Sequence, residues 1–330
     1  MKKTLLTFSL LFYSLTFLAQ NNYLDFDGVN DYVSVPNSAA MIAGASTISM
    51  SCKVFPKNAN TGWPDFDGFI GYRNDSNCDF YITQVSSTSV EARFRNSSGV
   101  AFNITYDGMV LNQWNHFFMV YNGTTLKLYS DGIEVGSTSA SGSMPANPTN
   151  LFQIGVSNYS ITAFYFKGYM DEVSLWNEAL TAADITAINT NSGEIANPTS
   201  ETGLKVYYKF NQGIAYGTNT GLTSLIDEKA TQNGTLVNFA LSGSLSNWGS
   251  ETLGNKQFSA SSFKVYPNPA EDVITISGLE SIENLKIVDI MGRTITERND
   301  SSNIFSVDKL NPGVYFLIIN QNQTVKFIKK

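Results

Sequence analysis

QWNHFFMVYNGTTLKLYSDGIEVG, residues Gln113 to Gly136, decides the fold. It holds two β-rich runs, Trp114 to Tyr121 and Thr125 to Ser130, each closed by a dipeptide made for a tight hairpin, Asn122-Gly123 and Asp131-Gly132. Asn or Asp followed by Gly accepts the positive φ of a type I′ turn, whose twist matches that of the flanking strands. The same pattern recurs outward in both directions. Asp107-Gly108 supplies another turn. Short β-rich runs between Asn, Asp, Gly and Ser clusters predict strands at Asp31 to Val35, Thr47 to Phe55, Gly68 to Arg73, Phe80 to Gln84, Val90 to Arg95, Ala101 to Tyr106, Leu151 to Ile154 and Phe164 to Trp176. Helical periodicity is almost absent from Tyr23 to Trp176. One helix is expected at Thr181 to Asn189, opened by Thr181 and Asp184 in a partial capping pattern. The fold class is all-β, a sandwich.

Charge narrows what such a sandwich does. The 330-residue chain carries a net charge of −7, unevenly spread. Gln20 to Ser262 has 11 Lys plus Arg against 20 Asp plus Glu, whereas residues 263–330 have 8 of each. An acidic central region argues against nucleic acid and anionic lipid as partners, since both demand basic patches. It is compatible with carboxylates that bind Ca²⁺. The single histidine, His116, and two cysteines exclude the usual zinc constellations. Cys52 falls in a buried strand and Cys78 at a loop edge before Phe80; an oxidising export route permits a disulfide between them, and geometry decides whether it forms.

Both ends read as addresses. Lys2 and Lys3 precede an apolar run from Leu5 to Leu18 and a small residue, Ala19, which is the pattern of a secretory signal peptide over residues 1–19. The run is shorter than the ~20 residues of a spanning helix, so no transmembrane helix is expected in the mature chain. At the other end, residues 263–330 carry Tyr266-Pro267-Asn268-Pro269, the turn Asp289 to Arg293 with Gly292, the run Leu310-Asn311-Pro312-Gly313-Val314-Tyr315, and a basic terminus from Lys326 to Lys330. These resemble the type A C-terminal sorting domain of the type IX (Por) secretion system. The resemblance implies passage through the periplasm, recognition by the type IX machinery, and release or attachment at the outer-membrane surface. Pro267, Asn268, Pro269, Gly292, Gly313 and Tyr315 are the sorting-signal residues it picks out.

A second resemblance covers the centre. LDFDGVNDYVSVP (Leu24 to Pro36), the opening stretch at Gln113 to Gly136, and FKGYMDEVSLWNEALTAADI (Phe166 to Ile185) together resemble the laminin-G-like jelly roll of the concanavalin A-like lectin/glucanase superfamily. Residues 20–248 are expected to form this jelly roll, with 204–248 either completing it in permuted order or acting as a linker, and 249–262 linking to the tail. In the family resembled, oxygen ligands near the first strand and the DEV strand hold a structural Ca²⁺. Asp27, Gly28, Asn30 and Asp171 are the candidates here, unless Asp27-Gly28 is simply a turn. The loop from Thr61 to Phe69 offers Trp63 beside Asp65 and Asp67, with Tyr72, Tyr159 and Tyr165 as further aromatic candidates. These either stack on a sugar and accept its hydroxyl protons, or cap a core edge. Glucanases of the superfamily place two Glu around an Asp on one strand, and Asp171-Glu172 has no such preceding Glu. The expected function is a secreted or cell-surface, non-catalytic module that binds a glycan or surface polysaccharide. A hydrolase or lyase, and a structural or protein-binding domain, are the alternatives.

Overall fold

Ser89–Arg95 alternates half-buried and fully buried positions without a break, and Val90, Ala92 and Phe94 enter the core. That two-residue period is the local rule from which the whole first unit is assembled. The computed structural model describes residues 21–59, 62–73, 78–159, 162–250, 264–277, 282, 284–290, 293–299, 301–319 and 323–330. The chain divides into two units, Met1–Glu251 and Thr252–Lys330. The signal-peptide reading falls outside the described residues, as do Gly292 and most of the expected linker.

In the first unit the strands are β1 (Asn22–Asp27), β2 (Tyr32–Val35), β3 (Ile48–Pro56), β4 (Asp67–Tyr72), β5 (Asp79–Gln84), β6 (Ser89–Arg95), β7 (Ala101–Asp107), β8 (Asn115–Tyr121) and β9 (Thr125–Ser130). They continue as β10 (Ile133–Ser139), β11 (Phe152–Ile154), β12 (Val156–Tyr159), β13 (Thr162–Tyr165), β14 (Lys167–Trp176), β15 (Leu204–Tyr208), β16 (Ser224–Leu225), β17 (Gly234–Val237) and β18 (Trp248–Ser250). Sheet A runs β10-β9-β8-β3-β14-β1-β18, with β15 also on β14; sheet B runs β16-β17-β2-β11-β4-β5-β6-β7. A core that includes Leu24, Phe26, Met50, Phe69, Phe80, Phe94, Phe117 and Trp248 lies between them. Two eight-stranded sheets packed on one core make a β-sandwich.

The segment after residue 203 joins both sheets. β15 pairs with β14, β17 with β2, and β18 with β1. Gly249 and Ser250, expected to begin a linker, instead lie opposite Tyr23 and Asn22. The strand expected from Phe164 to Trp176 is two, since β13 turns back on β12 as a separate hairpin. Among the described residues the one α-helix, α1 (Ala182–Thr190), starts on a full capping box: Asp184 N donates to Thr181 Oγ1, and Thr181 N donates to the Asp184 carboxylate. Ile185 and Ile188 of α1 pack on Phe118, Val120, Tyr129, Trp176 and Tyr207, which point outward from sheet A.

The disulfide is not formed, because Cys52 is a thiol in the core side of sheet A. Cys78 precedes β5 in sheet B and is buried in the same core. Burial raises both thiols, Cys78 to about 12.

The second unit holds β19 (Lys264–Tyr266), β20 (Val273–Ser277), β21 (Leu285–Asp289), β22 (Thr294–Arg298), β23 (Ile304–Ser306), β24 (Gly313–Ile319) and β25 (Gln323–Lys329). They form the sheets β19-β20-β23 and β22-β21-β24-β25 around Ile274, Ile287, Leu317 and Phe327. Pro267 and Pro269 flank Asn268, whose Oδ1 accepts from Ile328 N at 2.9 Å, tying that turn to the last strand. Tyr315 stacks on Phe327 and donates its hydroxyl to Asn311 O, and Gly313 lies opposite Lys329.

Candidate functional site

The β3–β4 connection makes a tight turn in which Asp65 N donates to Gly62 O at 2.7 Å, and the turn presents Trp63 to solvent, 61% exposed. Its indole meets Tyr159, Phe164 and Phe66 at ring separations of 5.4, 5.7 and 5.8 Å, all near edge-on. Such T-shaped contacts match the positive edge of one ring to the negative face of another, and so fix ring orientation. Tyr159 and Phe164 belong to the β12–β13 hairpin, which lies against β4 at Gly68. A Cβ on Gly68 would sit 2.1 Å from Ser157 N, so only glycine admits the hairpin. The result is an aromatic rim with one face in solvent.

Behind the rim, the outer face of sheet B is polar. The guanidinium of Arg73 lies 4.8 Å from the ring centroids of both Tyr81 and Tyr159 and donates to Ser157 Oγ at 3.1 Å. Tyr81 donates its hydroxyl to Glu91 at 2.8 Å, and Arg93 Nε donates to Asn103 Oδ1 at 2.9 Å. Arg95 pairs with buried Asp79 at 2.7 Å. These three arginines are the only ones before residue 263, and all serve this one face.

The structure thus brings Trp63, Asp65 and Tyr159 together at the rim, and withholds two other candidates. Tyr72 is fully buried, its ring tilted against Phe152 in the core and its hydroxyl donating to Ser38 O. Asp67 is buried and serves structure, accepting from Asn58 Nδ2 and Lys167 N; burial raises its carboxyl to about 6. Tyr165 lies apart from the rim, against Tyr32. Phe66, Phe164, Arg73 and Tyr81 were not anticipated. The alternation Glu91-Ala92-Arg93-Phe94-Arg95 was the available signal, since its charged members must share the face that the core rejects.

The four metal candidates do not converge. In the β1–β14 ladder Asp27 lies opposite Lys167, four residues before Asp171. At ~3.3 Å per residue that separates the two aspartates by about 13 Å. Asp27 Oδ1 accepts from Val29 N, Gly28 takes φ +81° in that turn, and the Asn30 carbonyl accepts from Asn238 Nδ2. Asp171 is buried and accepts from Glu172 N. Among the described residues no group of three or more His, Cys, Asp or Glu side chains is placed to hold a metal. Two nearby carboxylates, Asp25 and Asp31, are buried side by side against Ser246, whose backbone and hydroxyl act on them in turn. Burial raises both carboxyls to about 6, against the pull of Lys57 on Asp25.

Residues 27–186 match the family described as the concanavalin A-like lectin/glucanases superfamily, and residues 264–330 match the secretion system C-terminal sorting domain. The chain joins a concanavalin A-like module to a sorting domain. The sorting domain directs export through the type IX system to the cell surface or beyond, and among the described residues no helix is long and apolar enough to cross a membrane. No curated protein matches the chain. Among solved structures, a candidate carbohydrate-binding protein from Bacteroides ovatus is 19% identical with TM-score 0.49, the match covering 66% of this chain and 58% of that one. A pentraxin from Limulus polyphemus is 16% identical over 52% of this chain and 82% of its own, with TM-score 0.42. A CBM40 module of a Ruminococcus gnavus sialidase bound to sialyllactose is 11% identical over 51% and 97%, with TM-score 0.41. The chain therefore spans little more than half of the Bacteroides ovatus protein.

Proposed function

We propose that the concanavalin A-like module is a non-catalytic carbohydrate-binding module, carried outside the cell by its sorting domain, and that it grips glycan at the Trp63 rim and the adjoining outer face of sheet B. The exposed indole of Trp63, oriented by three neighbouring rings, carries this reading. A sugar offers an apolar ring face and a hydroxyl edge; the indole takes the first, while Asp65, Arg93 and Asn103 provide for the second. The carboxylates of this face are engaged by Tyr81 and Arg95, which supports holding a sugar over cleaving it, since glycosidases need two carboxyls flanking one bond.

The expected cofactor, Ca²⁺, is proposed as structural, held by Asp25 and Asp31 with neighbouring backbone oxygens. Two carboxylates buried close enough to feel each other's charge support that choice over Asp27 and Asp171.

The test is retention of the full chain on immobilised polysaccharides, with Ca²⁺ and with chelator, beside Trp63→Ala. Saturable retention weakened at least about tenfold by Trp63→Ala is expected, corresponding to ~1.4 kcal/mol. Retention indifferent to Trp63 would remove the rim from the account. Release of reducing ends from a retained polysaccharide would favour a hydrolase.

A further inference from the structure

The roof that α1 lays over sheet A is not closed. A cavity of about 340 Å³ opens between the end of β14, the helix and residues 191–201. Its floor is Trp176, Leu180, Ile188 and Ile195, all members of the outer cluster that α1 covers, and the last three keep 6–8% of their surface exposed. A space of this size with an apolar floor suits a small molecule. The walls carry Glu178, Asp184, Glu194 and Glu201, and among the described residues no Lys, Arg or His lines the cavity.

Two of these carboxylates are half engaged. Asp184 gives Oδ2 to the capping box, and Glu194 gives Oε2 to Lys209 at 2.9 Å. Among the described residues Glu178 and Glu201 accept hydrogen bonds through their backbone carbonyls alone, from Ser49 Oγ and Lys229 Nζ, so both carboxylates stay open. Lys229 also donates to the Thr199 carbonyl and does not line the cavity. The β14–β15 ladder sets where the two open carboxylates lie. Trp176 is opposite Leu204 and Asn177 N donates to Gly203 O at 2.9 Å, so Glu178 and Glu201 leave the ladder on adjacent chains. The Glu178 carboxyl folds over Gly203, where a Cβ would lie 2.0 Å from its Cδ, and glycine leaves it that room.

An apolar floor under uncompensated carboxylates selects a ligand with an apolar body and a positive end. A metal ion does not suit, because among the described residues no three such side chains converge to hold one, and the floor offers it nothing. An anion, or the carboxylate of a zwitterion, would face negative groups alone. A neutral apolar molecule would cover the floor and leave the carboxylates without a counter-charge. We propose that this cavity binds a small organic cation, an ammonium on an aromatic or alkyl body, with the body on the Trp176 to Ile195 floor and the ammonium at Glu178 and Glu201. The cavity shares no residue with the Trp63 rim, and the two readings stand or fall separately.

Calorimetric titration of the full chain with phenethylamine and tryptamine tests this, beside phenethyl alcohol, hydrocinnamate and free phenylalanine as neutral, anionic and zwitterionic matches. Saturable binding of at least one amine is expected, with the alcohol weaker by about tenfold or more, in line with loss of a charged hydrogen bond, and with no binding of the other two. Glu178→Gln and Glu201→Gln should each weaken the amine by about threefold to tenfold. Ala187→Phe, which fills the cavity from α1 and keeps every carboxylate, should abolish binding, while Glu134→Gln, which removes an exposed carboxylate elsewhere on sheet A, should change nothing. Tryptophan fluorescence on denaturation checks that each variant is folded. No saturable binding of either amine, equal binding of amine and alcohol, or affinity untouched in both Gln variants would overturn the proposal. A blocked arginine tripeptide that binds where neither amine does would also overturn it, and would give the cavity to a protein partner.

Discussion

Sheets A and B follow the same inward and outward alternation, yet their outer faces end differently. Sheet A sends out Phe118, Val120, Tyr129, Trp176 and Tyr207, and the connection from β14 to β15 roofs them with α1. Sheet B sends out Glu91, Arg93, Arg95 and Asn103, which pair among themselves and with neighbouring side chains and stay open. An apolar face must be covered, because each buried aromatic side chain gains kilocalories from leaving water. A face of matched polar groups carries no such demand, so it remains available to a ligand.

The roof is where this contrast breaks most visibly. Phe118→Ala empties a fully buried ring position between sheet A and α1 and is expected to cost about 3–5 kcal/mol. Thr105→Ala, an exposed position on β7 of sheet B, should stay within about 0.5 kcal/mol. All four tryptophans lie in the first unit, so denaturant unfolding followed by their fluorescence reports on that unit alone. Equal losses would mean that the two faces are not different in kind. Next in size is Gly68→Ala, which drives a Cβ into the β12–β13 hairpin at about 1–3 kcal/mol. It should also part Trp63 from Tyr159 and reduce glycan retention by more than its stability cost suggests.

Much of the sandwich was legible because turn chemistry is local: Asn122-Gly123 and Asp131-Gly132 fix the β8–β9–β10 meander within a few residues. The site was legible only in part. Trp63 and Tyr159 stood out as aromatics in polar loops, but Tyr72 was misread because the β4–β5 register shifts between Gly68 and Ile70. That bulge inverts the parity of the strand and turns Tyr72 into the core. Asp171 was joined to Asp27 for a similar reason, since which strand position faces which is settled by partners more than a hundred residues away. VSNY, the β12 sequence, lacks apolar alternation, so the hairpin that builds the rim had no pattern to announce it.

Buried carboxyls also give the first unit a dependence on pH. Asp25 on sheet A, Asp31 just after it and Glu172 in the β14 bulge are raised by burial to about 6, 6 and 7, although the Tyr207 hydroxyl donates to Glu172. A carboxyl whose folded pKa lies above its unfolded value favours folding when protonated. That stabilisation is full below about pH 4 and is lost as pH rises through 6 to 7. The calcium-free chain should therefore resist denaturant better at pH 5 than at pH 8, and Glu172→Gln should flatten the slope. Calcium held at Asp25 and Asp31 would keep both ionised and shrink the gain on acidification, so profiles with Ca²⁺ and with chelator should diverge. Superimposed profiles would remove the ion from these residues.

Smallest of all should be the effect of Trp63→Ala on folding. The indole's ring contacts are with the other rim rings, and most of its surface is already in water, so truncation should shift stability by no more than about 0.5 kcal/mol. Its neighbours nonetheless hold it at fixed angles, with Arg73 stacked on Tyr159 behind it. Orientation without burial adds little to the fold, and a ring kept oriented at solvent is best accounted for by what it meets there. A fall in glycan retention with unchanged unfolding would separate binding from folding in one substitution, whereas a stability loss matching Phe118→Ala would make Trp63 part of the core and return the rim to an ordinary edge of the sandwich.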